Sequence, residues 1–445
     1  MITLNEDQER AVKELKNFIY EDKWSKEYMV SGPAGTGKST IIRQAIKEYP
    51  GKIFLTATTN QAVDVLKTIW EKQSGVTEDI YVGTIHRLLG LYLDIEYNEQ
   101  EGTVTEVLKI NKDYKTPIDN KSLIIIDEAS MLSKSMYKII QEAITLHNCK
   151  IIYMGDFQQL PPVKENASLV FGIPNRSSLR KVMRQKEGSD LLSFIENIRS
   201  NPIFQENKNL KDIIFIKDQK EFVDNAYKYF SSEEYKTNPN LVKIVAWSNK
   251  SVGKYNNILK ERVRVLYGLK KVDFVTGDRL ICTKQYSKQR TSKGVSFREI
   301  ILNSSQEVTL EGISITKKLG ITAYEMNVRD NRGKLIKIYT VKPSNYKTFL
   351  SKLNRYRREY KRTKSIQDKM KLISFASAFA NMDHAYSVTA HRTQGSTYNN
   401  VFIDYLDIKS ILNISHGEEV NSEEYFHRCL YTAVSRASEK LYILI

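Results

Sequence analysis

Apolar positions along the chain follow two periods. Short apolar runs recur at 53–55, 123–126, 151–154, 401–403 and 441–445, and at 241–246 with Lys243 inside it; they predict strands, that at 123–126 buried on both faces. Between them lie stretches of helical period. In residues 4–20, Leu4, Val12, Leu15, Phe18 and Ile19 fall near one face, with Asn5 a candidate cap. Helices are also predicted over 40–49, 61–71 and from Ser251 to about Leu266. Strands alternating with helices predict an α/β fold with parallel sheets, the last run, Leu441–Ile445, closing the second sheet. Two stretches break the rhythm. Residues 91–110 alternate around Asn98–Gly102, which predicts an inserted β-hairpin, about 90–118. From Val272 to Val341 the runs shorten into strands expected to form a small barrel, and 344–380 turns helical. The expected division is 1–175, then 176–270 with 384–445, then 271–383.

Composition narrows the partners. Of 445 residues, 41% are hydrophobic and 27% charged, the balance of a folded chain. Lys and Arg exceed Asp and Glu by 68 to 52, and the net charge of +16 favours a polyanion, nucleic acid first. Cys149, Cys282 and Cys429 are far apart and form no C-x-x-C, which predicts neither a disulfide framework nor a zinc site and suits a reducing cytoplasm. The polar N-terminus does not resemble a signal peptide, and no apolar run approaches a membrane span, so no membrane partner is expected.

Gly32-Pro33-Ala34-Gly35-Thr36-Gly37-Lys38-Ser39-Thr40 fits G-x-x-x-x-G-K-[ST], between a predicted strand and a predicted helix. Glycines let successive N–H groups face one phosphate chain, and the helix N-terminus adds partial positive charge. Lys38 is placed to reach the outer phosphates and Ser39 a magnesium ion, so ATP and Mg²⁺ are the expected ligands. Asp127 and Glu128 end the aliphatic run 123–126. At the carboxyl end of a buried strand beside such a loop, Asp127 suits magnesium and Glu128 suits the attacking water. Gln8 is an amide placed to read the adenine edge, and Gln158 or Gln159 suits the γ-phosphate. Thr59 follows a strand at a helix start and suits a phosphate contact, and His86 suits a base or a phosphate.

Gly32–Thr40, Asp127–Ser130 (DEAS) and Gly155–Val163 (GDFQQLPPV), in that order and spacing, resemble the superfamily 1 helicases. The QLPPV ending is similar to the RecD-like branch, superfamily 1B, whose members move 5′ to 3′, and length and layout resemble its small phage members. The resemblance implies two RecA-like P-loop domains with parallel sheets, an inserted β-hairpin acting as a wedge, and an SH3-like β-barrel with a basic helical tower. It implies ATP-dependent translocation on single-stranded DNA and unwinding at duplex junctions, with Gln159 among the catalytic residues. Leu179–Gln185 is similar to the family segment whose arginine, here Arg184, reaches the γ-phosphate. Tyr386–Ser396 looks like the segment that touches both ligands, Thr389 and His391 on the DNA side and Gln394 and Gly395 on the nucleotide side. Leu430–Ala437 looks like the last family segment, with Arg436 as a second γ-phosphate arginine. Thr59, Thr84 and His86 would join Thr389 along the DNA. A monomer is expected, in a host cytoplasm if phage-encoded, working with replication or recombination proteins such as a single-strand-binding protein. Open alternatives are an ATPase that loads or displaces proteins without unwinding, a 3′–5′ superfamily 1A helicase, and a P-loop kinase without nucleic acid. Whether the tower grips DNA or is a solvated arm stays open between the two.

Overall fold

The computed structural model describes residues 4–71, 80–98, 103–111, 114–162, 165–182, 189–203, 206, 210–266, 268–269, 272–292, 295–414 and 420–445. It divides into two compact units, Met1–Leu91 with Asn111–Gly253 and Ser387–Ile445, and Tyr92–Ile110 with Lys254–Tyr386.

The first unit holds two parallel sheets. Its N-terminal sheet starts with β1 (Glu27–Ser31), β2 (Ile53–Ala57) and β3 (Ile80–Thr84). The chain then runs through a hairpin of the second unit, β4 (Leu91–Asn98) and β5 (Thr103–Ile110). It returns as β6 (Leu123–Asp127), β7 (Lys150–Gly155) and β8 (Arg176–Ser178). The order is β3-β2-β6-β7-β1-β8, all parallel. Register sets Leu55 beside Ile125 and Ile125 beside Ile152, so the aliphatic runs stack at the middle of the sheet. Leu123 to Ile126 are each at most 1% exposed, which is why this strand reads as four aliphatics without alternation. Burying each such side chain stabilises by roughly 1.5–3 kcal/mol.

Helices α1 (Glu6–Lys16), α2 (Lys38–Ile46) and α3 (Asn60–Glu71) pack on this sheet through Leu15, Ile41, Ile42 and Leu66. Asn5 opens α1 with a capping box. Its side chain accepts from the Gln8 N–H at 3.0 Å, and the Gln8 side chain accepts from the Asn5 N–H at 3.1 Å. Glu6, Asp7 and Glu9 in the first turn and Lys13 and Lys16 in the last complement the helix dipole.

The C-terminal sheet of this unit contains β9 (Ile213–Ile216) and β10 (Val242–Ala246). After the second unit come β18 (Ser387–Thr389), β19 (Tyr398–Asp404) and β20 (Ala437–Leu444), in the order β18-β10-β19-β20-β9, again all parallel. The expectation that the last strand closes the sheet is corrected: β20 lies inside it, and the four-residue run Ile213–Ile216 pairs along its outer side. Val245, Val401, Ile403 and Ile443 form the core with α4 (Asp190–Ser200) and a C-terminal helix, Ser422–Val434.

In the second unit β11 (Arg279–Lys284) is followed by the hairpin β12 (Tyr286–Ser292) and β13 (Val295–Leu302). Then come β14 (Glu307–Lys318), β15 (Ile321–Asp330), β16 (Leu335–Val341) and β17 (Asn381–His384). The antiparallel order is β16-β15-β14-β11-β17. Burial alternates along β15 and β16 with the period of two that a one-sided sheet needs. The sheet curls, and its ends approach through Ala380, whose N–H donates to the Tyr339 carbonyl at 2.6 Å. Leu319 and Gly320, both left-handed (φ 51° and 73°), make the tight turn between β14 and β15. Helices α5 (Tyr346–Thr363) and α6 (Ile366–Ala376) form a pair beside this sheet, with Phe349, Leu353, Leu372 and Phe375 in their seam. The C-terminal helix of the first unit, Ser422–Val434, is α7. No helix among the described residues is long and apolar enough to cross a membrane.

Candidate active site

The chain leaves β1 at Ser31 and turns at once. The Gly32 N–H donates to the Gly155 carbonyl at 3.1 Å, tying the loop to the end of β7, and a Cβ on Gly32 would stand 2.7 Å from the Leu179 carbonyl oxygen. Gly35 and Gly37 are left-handed at φ 82° and 83°. Beneath the loop lies Gln8, 5% exposed, whose Nε2 donates to the Thr36 carbonyl at 3.0 Å. Both ends of that amide are held by the chain, and its second N–H is the group left for a base edge. The Lys38 ammonium folds back onto the carbonyls of Gly32 (2.7 Å) and Pro33 (2.9 Å), and the Thr36 hydroxyl also donates to Pro33 (3.0 Å). Ala34 lies on the open side of the loop, and Ser39 and Thr40 are half-buried in the first turn of α2.

Asp127 ends β6 and Glu128 follows it with φ 51°, a left-handed conformation that costs of order 1–3 kcal/mol for a non-glycine residue. Asp127 Oδ1 accepts the Glu128 N–H at 2.8 Å. Burial raises the pKa of both carboxyls, and Asp127 raises Glu128 further. Lys38 opposes the shift at both, and Arg436 opposes it at Glu128. Two carboxylates and two cations thus share one electrostatic site.

Arg436 belongs to the C-terminal half. It is 2% exposed, with Nε donating to the Thr432 carbonyl (2.9 Å), one terminal nitrogen to the Ser435 hydroxyl (2.8 Å) and the other to the Ser396 carbonyl (3.3 Å). The loop after β7 meets the same half. Asp156, 1% exposed, accepts from the Tyr431 hydroxyl at 2.8 Å and pairs with Arg199 of α4 at 3.6 Å. The Leu160 N–H donates to the Thr432 hydroxyl (3.1 Å), and Gln394 Nε2 donates to the Leu160 carbonyl (3.3 Å). The buried oxygens of Gln159 and Gln394, Gln159 Oε1 and Gln394 Oε1, have no hydrogen-bond partner among the described residues. Gly395, at φ 79°, backs onto Ala62 at the start of α3. A cleft of ≈ 240 Å³ opens between Pro33 and Ala34 on one side and Ile195, Arg199, Tyr431 and Ser435 on the other.

The residues fit a magnesium nucleotide. Among the described residues no group of three or more His, Cys, Asp or Glu could hold a metal by itself. A magnesium ion bound with phosphates needs only one or two protein oxygens, which the Ser39 hydroxyl and Asp127 would supply. The two glutamine oxygens are acceptors in want of a donor, as expected where a hydrated ligand belongs.

The residues read as DNA contacts fall into two sets at the carboxyl ends of strands. Thr84 ends β3, beside Ala57 of β2, and Thr59 follows two residues after Ala57. Thr84 accepts from the Arg87 N–H (3.2 Å) and Thr59 from the Ala62 N–H (3.2 Å), so each caps a helix and keeps its hydroxyl proton to donate. His86 has its pKa lowered by burial. On the other sheet Thr389 ends β18, 6% exposed. His391 Nε2 lies 2.7 Å from the Tyr425 hydroxyl, and burial lowers its pKa to about 4. A contact from His391 to a phosphate would therefore be a hydrogen bond from a neutral ring. Arg184 and the hairpin tip, 99–102, lie outside the described residues. Sequence reasoning missed Arg199, a helix arginine with no local signal, and gave Asp156 and Tyr431 no role although both stand inside family-like segments.

An AAA domain family model matches residues 3–220. An uncharacterised protein of Acanthamoeba polyphaga mimivirus is 27% identical over 99% of this chain and 99% of its own. The ATP-dependent DNA helicase dda of Enterobacteria phage T4 is 25% identical over 68% of this chain and 64% of its own, just under two thirds of that helicase. Two coordinating Pif1 helicases, solved to explain DNA unwinding at forked duplexes, share the fold, with a TM-score of 0.50 and 15% identity over 99% of this chain and 92% of theirs. The P-loop, the carboxylate pair and the Gly155–Val163 loop, set on two parallel sheets, are similar to those of the superfamily 1B, RecD-like helicases, and the fold is the one the Pif1 helicases share.

Proposed function

We propose that this chain is an ATP-dependent DNA helicase that moves 5′ to 3′ along single-stranded DNA and opens duplexes ahead of it. The observation that carries the proposal is one nucleotide site assembled from two sheets. Lys38, Asp127 and Glu128 come from one half of the first unit, and Arg436, Gln394 and Tyr431 from the other.

Lys38 exchanges its two loop carbonyls for the β- and γ-phosphate oxygens of ATP, and the backbone N–H groups from Ala34 to Ser39 cradle the chain of phosphates. A magnesium ion held by Ser39 and Asp127 would neutralise charge between the β- and γ-phosphates. Glu128, its pKa raised by burial and by Asp127, is poised as the base that orients and deprotonates water. Arg436, with Arg184 as its proposed partner, balances the charge that spreads in the transition state, an effect typically of ~10³–10⁵ in rate. Gln159 and Gln394, whose side-chain oxygens are buried without a partner among the described residues, are the proposed polar contacts to the same nucleotide.

Loss of the γ-phosphate then removes what Arg436 was holding, while Tyr431–Asp156 and Thr432–Leu160 carry the change to the loop after β7. Thr59, Thr84 and His86 on one half and Thr389 and His391 on the other would grip DNA in turn. The β4–β5 hairpin is the proposed wedge.

The test is ATP turnover with and without single-stranded DNA. Strong stimulation that Lys38→Ala abolishes, with DNA binding retained, is expected; turnover indifferent to DNA refutes the proposal. Tailed duplexes decide polarity, since preference for a 3′ overhang removes the 5′–3′ assignment. Stimulated turnover without strand opening would leave a motor that only displaces proteins.

A further inference from the structure

Helix α5 carries seven Lys or Arg and one carboxylate, Glu359, so eighteen residues hold six of the chain's sixteen net positive charges. The charges are sorted by face. Phe349, Leu353, Tyr356 and Tyr360 follow the i, i+4, i+7, i+11 spacing of one stripe and pack inward, with the Tyr356 ring 5.1 Å from that of Phe375. Lys347, Ser351, Arg355, Arg358 and Arg362 follow an equally regular spacing on the opposite side, and all five are exposed. At 1.5 Å per residue that outer stripe is about 22 Å long.

Like charges three and four residues apart weaken a helix. A solvated arm avoids this by interleaving signs. Here Arg355 reaches Glu359 at 3.3 Å, and Arg358 and Arg362 have no carboxylate partner among the described residues. The stripe is a local electrostatic cost to the helix that a polyanion would remove.

We propose that the outer stripe of α5 binds the phosphate backbone of double-stranded DNA. The inference rests on the reading of the chain as a DNA helicase and adds a second, duplex-facing contact to it. Duplex is favoured over single strand by where the aromatics lie. Surfaces that hold single strands pair cations with exposed rings on which bases stack. On α5 the rings of Phe349, Tyr356 and Tyr360 face the α6 seam. The half-exposed Tyr346 stands about 120° round the helix from Arg358. The outer stripe offers three guanidinium forks, an ammonium and a hydroxyl and no ring, which suits a ligand whose bases are paired and whose phosphates are outside.

The test is the full-length triple variant Arg355→Ala, Arg358→Ala, Arg362→Ala, with a matching triple Lys variant. Alanine keeps the helix, because Arg358 and Arg362 have no carboxylate partner among the described residues, Arg355 gives up only an exposed pair with Glu359 and its place over the Tyr356 ring, and alanine has the highest helix propensity. Binding to a blunt duplex and to oligo-dT is titrated over a series of KCl concentrations without nucleotide. For the Ala variant, duplex affinity should fall roughly tenfold or more, and the slope of log K against log salt should flatten by about 2 to 3. Oligo-dT affinity and dT-stimulated ATP turnover should stay at wild-type level, and the Lys variant should recover most of the salt slope. Unchanged duplex affinity and slope, or equal losses on duplex and oligo-dT, overturn the inference. Failure of the helicase reading shows separately, as wild-type turnover that ignores oligo-dT. If the Ala variant unfolds, Arg362→Ala alone decides, with an expected slope change of about 0.9 on duplex only.

Discussion

The Tyr431 hydroxyl donates to Asp156 Oδ2 at 2.8 Å, a buried bond that joins α7 of the C-terminal half to the loop leaving β7 in the N-terminal half. Burial and Asp156 hold the phenol pKa well above its usual value, so it stays a donor across the working range of pH. Tyr431→Phe leaves Asp156 with the Gln158 N–H (3.1 Å) and the longer pair to Arg199. Losing a buried bond to a charged group costs about 1–3 kcal/mol. The expected result is a several-fold fall in DNA-stimulated turnover with little change in nucleotide affinity, read from steady-state kinetics beside equilibrium nucleotide binding. A wild-type kcat would show that this bond carries nothing between the halves.

Glu128 should trade stability for turnover. Its carboxyl has a raised pKa, so the folded chain binds the proton more tightly than the unfolded chain does. The ionised form therefore costs stability above the ordinary carboxylate range, and that cost is relieved as pH falls through the raised value. Glu128→Gln removes the buried charge and the base together. Turnover should fall by ~10²–10⁴. The melting midpoint at neutral pH should rise by a few degrees and lose part of its acid-side pH dependence. Calorimetry beside an ATPase assay checks both, and a destabilised Gln variant would contradict the electrostatic account.

The parts of the site legible in sequence are those with a local signature. The P-loop is visible because its glycines must sit at fixed spacing, and Asp127–Glu128 because four aliphatics point to a strand buried on both faces. Asn5 reads as a cap because its partner Gln8 is only three residues on. What escaped lies far apart in sequence. Tyr431–Asp156, Leu160–Thr432 and Arg199–Asp156 join residues that no window contains. The outer strand β9 escaped because four apolar residues fit a strand or a buried helical turn equally well, and only its pairing with β20 decides. The left-handed backbone of Glu128 has no signal either, since glutamate is an ordinary residue forced there by the site.

His391 should leave a mark on acid stability. Its pKa falls from the ordinary 6.5 to about 4 because burial disfavours the charged ring. Between those values the unfolded chain takes up a proton at this site and the folded chain does not. The stabilisation is therefore fully present above pH 6.5 and is lost as pH falls towards 4. His391→Gln keeps an acceptor for the Tyr425 hydroxyl but cannot titrate. Its melting midpoint should depend less steeply on pH between 6.5 and 4.5 than that of the wild type. Parallel slopes would mean that the imidazole is protonated in the folded chain.

Gly37 is constrained twice, and the two constraints can be separated. Its φ of 83° is costly for any residue with a side chain, by roughly 1–2 kcal/mol. A Cβ would also stand 2.5 Å from Gln8 Nε2, so Gly37→Ala must push Gln8 away from the Thr36 carbonyl. Gln8→Ala opens that space but leaves φ unchanged. The cost of Gly37→Ala should then be smaller in the Gln8→Ala background than in the wild type, by about the 1–3 kcal/mol of the displaced buried hydrogen bond. Denaturant melts of the four nucleotide-free proteins measure the coupling without involving ATP affinity, which Gln8 would itself alter. Equal costs in both backgrounds would mean that backbone strain alone holds glycine at this position and that Gln8 does not brace the loop.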